Sequence, residues 1–314
     1  MAQATEVKTL KTVIGTYGHT AALKNGAVQP SGLQFDFVEV SPIIAAFRRM
    51  VRGLEFDVCE MAITTHLVAR EFGKPFTAIP VFPVRQFHHA TISVNTRSGV
   101  QSPKDLEGKR VGVRAYTVTG GVWSRGILAT QYGVDLTKVT WVIFDEEHVA
   151  EYKPPSNVES AGQGANMGAM LASGELAAAI GAGGVDSPDV KPLIADAANV
   201  QNEWFRQTGV YPINHTVVVK DALLQSDPSL AKEVFRAFEE SKQQFLKKLQ
   251  SGEPLSPEEE ALARRRSLLG DDVMPYGTGA EVNRKALDMI VQFAIDQKIL
   301  TRQPNWREIF VPGL

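Results

Sequence analysis

The sequence predicts an α/β protein of two lobes, and three observations lead there. Short β-rich runs alternate with helical patterns along the whole chain, as in a mostly parallel, helix-covered sheet. The length, 314 residues, exceeds what one hydrophobic core ordinarily organises and suits two lobes of about 100–200 residues each. One phrase, histidine followed by β-branched residues, is also written twice, as FHHATISVN at 87–95 and INHTVVVK at 213–220. The copies bracket about 120 residues with an α/β pattern of their own. Two adjacent crossover strands would look like this, with the chain leaving lobe one along the first and returning along the second. Lobe one is then 1–90 plus 216–314, and lobe two is 91–215.

The elements follow in order. Runs 8–15 and 33–40 read as strands, the second from its alternation, LQFDFVEV. PIIAAFRRMVRG (42–53) has helical spacing and ends at glycine. FDVCEMA (56–62) is a strand, followed by a helix over 64–73 capped by Thr64 or Thr65. FTAIPVFP (76–83) is a short strand. Past the first histidine phrase come a strand at 109–114, a helix at 117–133 with Thr117 or Thr119 at its start, and a strand at 139–145. Residues 146–165 read as loop, NMGAMLASGE as helix, 176–182 as strand and 199–209 as helix. After the second phrase the chain reads as helical, with no internal repeat.

Composition narrows the class. The chain is 44% hydrophobic and 22% charged with a formal net charge of −2, which predicts neither a nucleic-acid nor a membrane surface. Arg264-Arg265-Arg266 balances an adjacent acidic run and reads as a solvated helix face. No apolar run reaches the ~18 residues of a membrane span. The start carries no apolar leader, so the expected location is the cytoplasm, or the periplasm if Ala2-Gln3-Ala4 is the remnant of a cleavage site. The single cysteine, Cys59, forms no internal disulfide and reads as core packing. HExxH, CxxC, Walker and GxSxG patterns are absent, and the GxG of GQGANMG follows a loop rather than a strand.

Several motifs, in order, resemble one family: GTYGHT, FDVCEMA, AIPVFPVRQFHH, VWSRGIL, GVYPINHTVV, GDDVMPYG and the Asn-Arg of AEVNRKAL. Together with SPKDLEGKRVGV they resemble the 4,5-dihydroxyphthalate decarboxylases, within the periplasmic-binding-protein type 2 fold, over nearly the whole chain. The chain departs from that pattern at Thr64, Thr65, His66, His88, Ala115 and Thr117 and in the loop FDEEHVAEYKPPS, which leaves room for a different substrate. The resemblance implies decarboxylation of a hydroxylated aromatic dicarboxylate without an organic cofactor. A solute-binding protein for a small aromatic carboxylate is the alternative. An enzyme of thiamine-precursor synthesis is a third reading, and the cysteine-rich motif of those enzymes is absent.

That chemistry needs a proton donor, an anchor for the second carboxylate and a dry site. Histidine titrates near neutrality and suits the acid role. His215 is the first candidate and His89 the second; the bland alternative is that both hold the lobes in register. His19, read as lying in a loop after the first strand, joins them as a candidate catalytic residue. Arg85 would fork onto a carboxylate. Thr64, Thr65, Tyr116, Thr117 and Thr119, beside two helix starts, would receive an anion. Glu60 would orient a histidine. No metal is assigned, although His89, His215, His19 and Glu60 are types that suit a divalent ion. The expected partner is a small aromatic carboxylate, and a homo-oligomer is compatible with this reading. Trp123 and Arg125 read as helix packing and surface charge.

Overall fold

The structure, a computed structural model, describes residues 7–30 and 32–314; the Ala2-Gln3-Ala4 segment lies outside them. Its strands are β1 (Lys8–Val13), β2 (Leu33–Phe37), β3 (Val58–Ala62), β4 (Phe76–Ile79), β5 (Ile92–Asn95), β6 (Arg110–Val113), β7 (Thr140–Ile143), β8 (Val158–Ser160), β9 (Ala178–Ile180), β10 (Val190–Pro192) and β11 (His215–Lys220). The chain divides into two compact units. One comprises the residues up to Arg85 with Ile213–Arg284 and Pro304–Leu314, the other Gln86–Pro212 with Lys285–Gln303.

The first unit carries a sheet in the order β2-β1-β3-β11-β4. β1 runs parallel to β2 and β3, and β11 runs antiparallel to β3 and β4. β3 is buried at every position, which is why VCEMA shows no alternation. The edge strand β2 alternates half-buried Leu33, Phe35 and Phe37 with exposed Gln34 and Asp36. The helix Ile44–Gly53 buries Ala46, Phe47, Met50 and Val51, an apolar stripe at helical spacing.

The second unit carries the order β10-β5-β9-β6-β7-β8. Here β6 is parallel to β7 and β9, β7 is parallel to β8, and β5 is antiparallel to β9 and β10. Laid beside β2-β1-β3-β11-β4, the order β7-β6-β9-β5-β10 has the same plan. In each set of five, one antiparallel strand is inserted between the third and fourth parallel positions.

That plan explains the repeated phrase and corrects the inference drawn from it. The two histidine phrases are not paired strands, because β5 and β11 belong to different sheets. They are equivalents: each leads into the inserted antiparallel strand of its own sheet. Such a strand has neighbours on both edges, which favours β-branched runs such as Thr216–Val219, all buried. Within the first unit, the residues before Gln86 pair instead with those after Pro212. Arg85 and Ile213 form a bridge, and the Asn214 N–H donates to Val84 O at 2.8 Å.

Other differences are local. His89–Thr91 form a 3-10 turn, so His88 and His89 do not alternate across a strand, and both are buried. His19 lies in the helix Gly18–Lys24 rather than a loop. The residues preceding the helices Ile63–Glu71 and Thr119–Tyr132 are Ala62 and Val118, so threonine side chains cap neither. β8 falls inside the expected loop, and β10 is a short, mostly exposed edge strand. Residues 285–303 sit in the second unit rather than with the helical tail that the sequence groups into lobe one. Phe293 packs edge-on against Trp123 at 5.6 Å, over Gly126, where any Cβ would overlap the Phe293 ring. Arg125 is not a surface charge. It is fully buried, lies 4.1 Å from the Tyr116 ring, and donates from Nε to Gln297 Oε1 at 2.7 Å. Among the described residues, no helix is long and apolar enough to cross a membrane.

His66, in the helix after β3, is buried between Phe76 and Phe310, with Nε2 2.9 Å from Ile309 O. Burial lowers its pKa to about 4. An unfolded histidine titrates near 6.5, so between pH 6.5 and 4 the unfolded chain binds a proton that the folded chain refuses. Stability therefore falls on acidification through that window, by about 3 kcal/mol for this residue. His66→Gln, which retains a donor toward Ile309, should lessen the pH dependence of unfolding between pH 6.5 and 4, leaving the share that His19 contributes. Urea titrations at half-unit steps check this, and an unchanged slope in the variant would contradict it.

Candidate active site

The centre of the first unit is a charge placed where charge is expensive. Glu60 is fully buried at the middle of β3. In the antiparallel register Glu60 lies opposite Val217 and Ala62 opposite His215. Residues two apart share a face, so Glu60 and His215 are diagonal neighbours on one side of the sheet. His215 Nδ1 lies 2.6 Å from Glu60 Oε1. The Tyr17 hydroxyl donates to the same oxygen at 2.8 Å, and the Gly15 N–H donates to Oε2 at 2.7 Å.

Burial by itself pushes the Glu60 pKa up. The His215 ring, the Gly15 N–H and the Tyr17 hydroxyl more than offset that, and the net shift is downward. Glu60 is therefore a carboxylate at neutral pH and accepts from all three. This assigns a proton to Nδ1 of His215, on the side that faces the carboxylate. Phe47 packs edge-on against the imidazole at 5.1 Å and fixes the ring plane. The His215 side chain is 16% exposed, whereas His19 and His89 are almost fully buried.

The turn after β1 is built for this contact. The Thr20 hydroxyl accepts from the Tyr17 N–H and donates to Gly15 O, each at 2.9 Å, closing residues 15–20 into one turn. Gly15 has no room for a Cβ because the Tyr17 ring occupies the space. Tyr17 stacks nearly parallel on His19 at 5.4 Å. Burial and then the Glu60 charge push the Tyr17 phenol well above its usual range, so it stays a donor. Burial lowers His19 to about 4, so it is neutral at pH 7.

Tyr17, His19 and Arg85 line one cavity of about 600 Å3, closed on another side by residues 256–265 and Met274. Arg85 is buried, and its Nη2 donates to Asn283 Oδ1 and, at 3.4 Å, to Pro275 O. Asn283 holds that loop with its own amide, which donates to Pro275 O at 3.1 Å and Gly277 O at 2.7 Å. The structure thus brings His215, Glu60, His19 and Arg85 into one unit, the first pair in direct contact and the second pair on one cavity. Thr64 and Thr65 are buried in the first turn of the helix after β3.

His89, Tyr116, Thr117 and Thr119 belong to the second unit. His89 Nε2 lies 2.9 Å from Gln131 Oε1, and its ring packs edge-on to Trp204. The donors at 116 and 117 are engaged by a residue that sequence reasoning passed over. Glu147 accepts from the Tyr116 N–H at 2.6 Å and from the Thr117 N–H and hydroxyl. Tyr17 was also missed, although it sits inside GTYGHT. Among the described residues, no three His, Cys, Asp or Glu side chains are arranged to hold a metal ion.

Known proteins resemble this chain over most of its length. A family model described as NMT1/THI5 like matches residues 32–249. A 4,5-dihydroxyphthalate decarboxylase of Comamonas testosteroni is 31% identical over 327 residues, covering 97% of this chain and 96% of that protein. A 4,5-dihydroxyphthalate decarboxylase of Pseudomonas putida is 33% identical over 210 residues, covering 63% of this chain and 81% of its own. Among solved structures, the periplasmic aliphatic sulphonate binding protein SsuA of Escherichia coli superposes with a TM-score of 0.55 at 15% identity, covering 97% of this chain and 92% of that one. The motifs GTYGHT, FDVCEMA, AIPVFPVRQFHH, GVYPINHTVV and GDDVMPYG supply the carboxylate, its donors and the cavity wall. The chain has the periplasmic-binding-protein fold and belongs to the 4,5-dihydroxyphthalate decarboxylase family.

Proposed function

We propose that the protein is a carboxy-lyase that decarboxylates a hydroxylated aromatic dicarboxylate of the 4,5-dihydroxyphthalate kind, with no organic cofactor and with His215 as the general acid. The observation that carries this reading is the 2.6 Å contact between His215 Nδ1 and the buried Glu60 carboxylate. A carboxylate held on Nδ1 orients the imidazole and stabilises the imidazolium, which can then deliver a proton from Nε2. The ring hydroxyls push electrons toward the carbon bearing the carboxylate, and that carbon takes the proton. The C–CO2 bond then breaks, its electron pair restores the aromatic ring, CO2 leaves, and solvent reprotonates His215. Arg85 supplies positive charge on the cavity wall for the carboxylate that stays.

Solute binding without turnover is the second reading, supported by the likeness to SsuA. His215 separates the two. Asparagine matches the imidazole in hydrogen bonding but delivers no proton near pH 7. His215→Asn should keep ligand affinity within about threefold and lower turnover by roughly 10²–10⁴-fold, the usual worth of general acid–base catalysis. CO2 release from 4,5-dihydroxyphthalate and related hydroxyphthalates is the assay. Turnover by the variant at the wild-type rate would remove His215 from the acid role, and a wild type that binds without turnover would make the protein a receptor.

Three further variants test the cavity. Arg85→Met should weaken binding of the dicarboxylate by roughly 10- to 100-fold, the worth of one charge-assisted contact, and a change under twofold by calorimetry would place the anchor elsewhere. Gly15→Ala drives the Tyr17 ring off Glu60. It should reduce kcat/KM at least about tenfold, as expected when a positioning contact is lost, and Tyr17→Phe should lower it in the same direction. A Gly15→Ala enzyme with unchanged kinetics would show that the turn does not position the acid.

A further inference from the structure

Three polar atoms near the cavity have no partner in the folded chain. Both ring nitrogens of His19 and the hydroxyl of Tyr276 are buried without a hydrogen bond. The Pro83 carbonyl approaches His19 as a backbone acceptor and favours its proton, yet closes no hydrogen bond with either ring nitrogen. The two rings meet edge-on at 6.3 Å, and His19 lines the cavity that Tyr17 and Arg85 share. Buried polar atoms in native proteins are almost always paired, so orphans clustered beside a cavity call for an outside partner.

The surroundings define what that partner is. Tyr17 lies parallel to His19 and Phe245 is tilted against it at 5.9 Å, an aromatic frame suited to a flat ring. His19 and Tyr276 are both held neutral by burial. Each therefore offers one donor and one acceptor rather than a charge. A carboxylate has only acceptors, and the wall already carries Arg85 for it. A ring hydroxyl both donates and accepts, so the complementary group is a hydroxyl or a pair of adjacent hydroxyls.

We propose that His19 and Tyr276 form a subsite that recognises the hydroxyl-bearing edge of the aromatic ligand and sets the preference for hydroxylated over unhydroxylated rings. This rests on the reading of the cavity as the site of a hydroxylated aromatic carboxylate, and it assigns specificity residues rather than catalytic ones. A site built to pair with a ligand hydroxyl penalises the analogue that lacks it, because its own polar groups then stay unpaired.

The test uses the full chain and two ligands that the proposed reaction does not consume, 3,4-dihydroxybenzoate and benzoate. Calorimetry should show the dihydroxy acid binding wild type at least about tenfold tighter than benzoate. Tyr276→Phe should weaken the dihydroxy acid about tenfold, leave benzoate within twofold, and melt no lower than wild type, because it removes an unpaired hydroxyl. His19→Phe should erode the same preference while keeping the stack on Tyr17. Equal binding of the two acids by wild type, or binding of neither, overturns the proposal. An unchanged preference in both variants, or equal losses for both ligands, overturns it as well. CO2 release from 4,5-dihydroxyphthalate is measured on the same preparations. A wild type that prefers the dihydroxy acid but releases no CO2 contradicts the decarboxylase reading and leaves this subsite standing.

Discussion

The structure of the first unit depends on a carboxylate placed where no water reaches it. Burying an ionised group without partners costs far more than a folded protein has to spare. Glu60 is tolerated because the Gly15 N–H, the Tyr17 hydroxyl and the His215 ring converge on its two oxygens. Each donor constrains its own part of the chain. Gly15 must lack a side chain, the turn 15–20 must close through Thr20, and β11 must keep the register that sets His215 diagonal to Glu60. The orientation of His215 and the shape of the turn beside the cavity follow from satisfying one buried charge.

The second unit solves a similar problem with a different residue. β6 holds the place in its sheet that β1 holds in the other. The turn after β1 gives an N–H to Glu60, and the turn after β6 gives two to Glu147. In both, a carboxylate occupies backbone donors at the end of a parallel strand, where such sheets ordinarily receive ligand anions. The difference lies in what else the carboxylate touches. Glu60 contacts a partly exposed histidine and a cavity-lining tyrosine, whereas Glu147 closes on Thr117, one residue past a tyrosine that itself packs against the buried Arg125.

Much of this was legible in the sequence, for reasons that also mark where legibility ends. Alternation and helical spacing located most strands and long helices, since burial imposes those periods directly. The repeated histidine phrase was a true signal of two equivalent strands. A run of β-branched residues reports that a strand has neighbours on both edges but not which strands they are, so equivalence was mistaken for adjacency. Glu60 and His215 were both singled out, yet their contact spans 155 residues, and no local pattern encodes it. Glu147 escaped because nothing in FDEEHVAEY separates it from Glu146. Arg125 looked like surface charge because a helix written VWSRGIL hides no cue that Tyr116, Trp141 and Gln297 will enclose it.

Glu60 is ionised in the folded protein and holds His215 through Nδ1. Carbon-13 NMR of the glutamate side-chain carboxyls, with Glu60 assigned by its loss in Glu60→Gln, reads that state directly. The Glu60 resonance should stay at the carboxylate position from pH 8 down to below pH ~4.3, where an ordinary glutamate is half protonated. A Glu60 resonance that moves to the protonated position anywhere above that pH would contradict it.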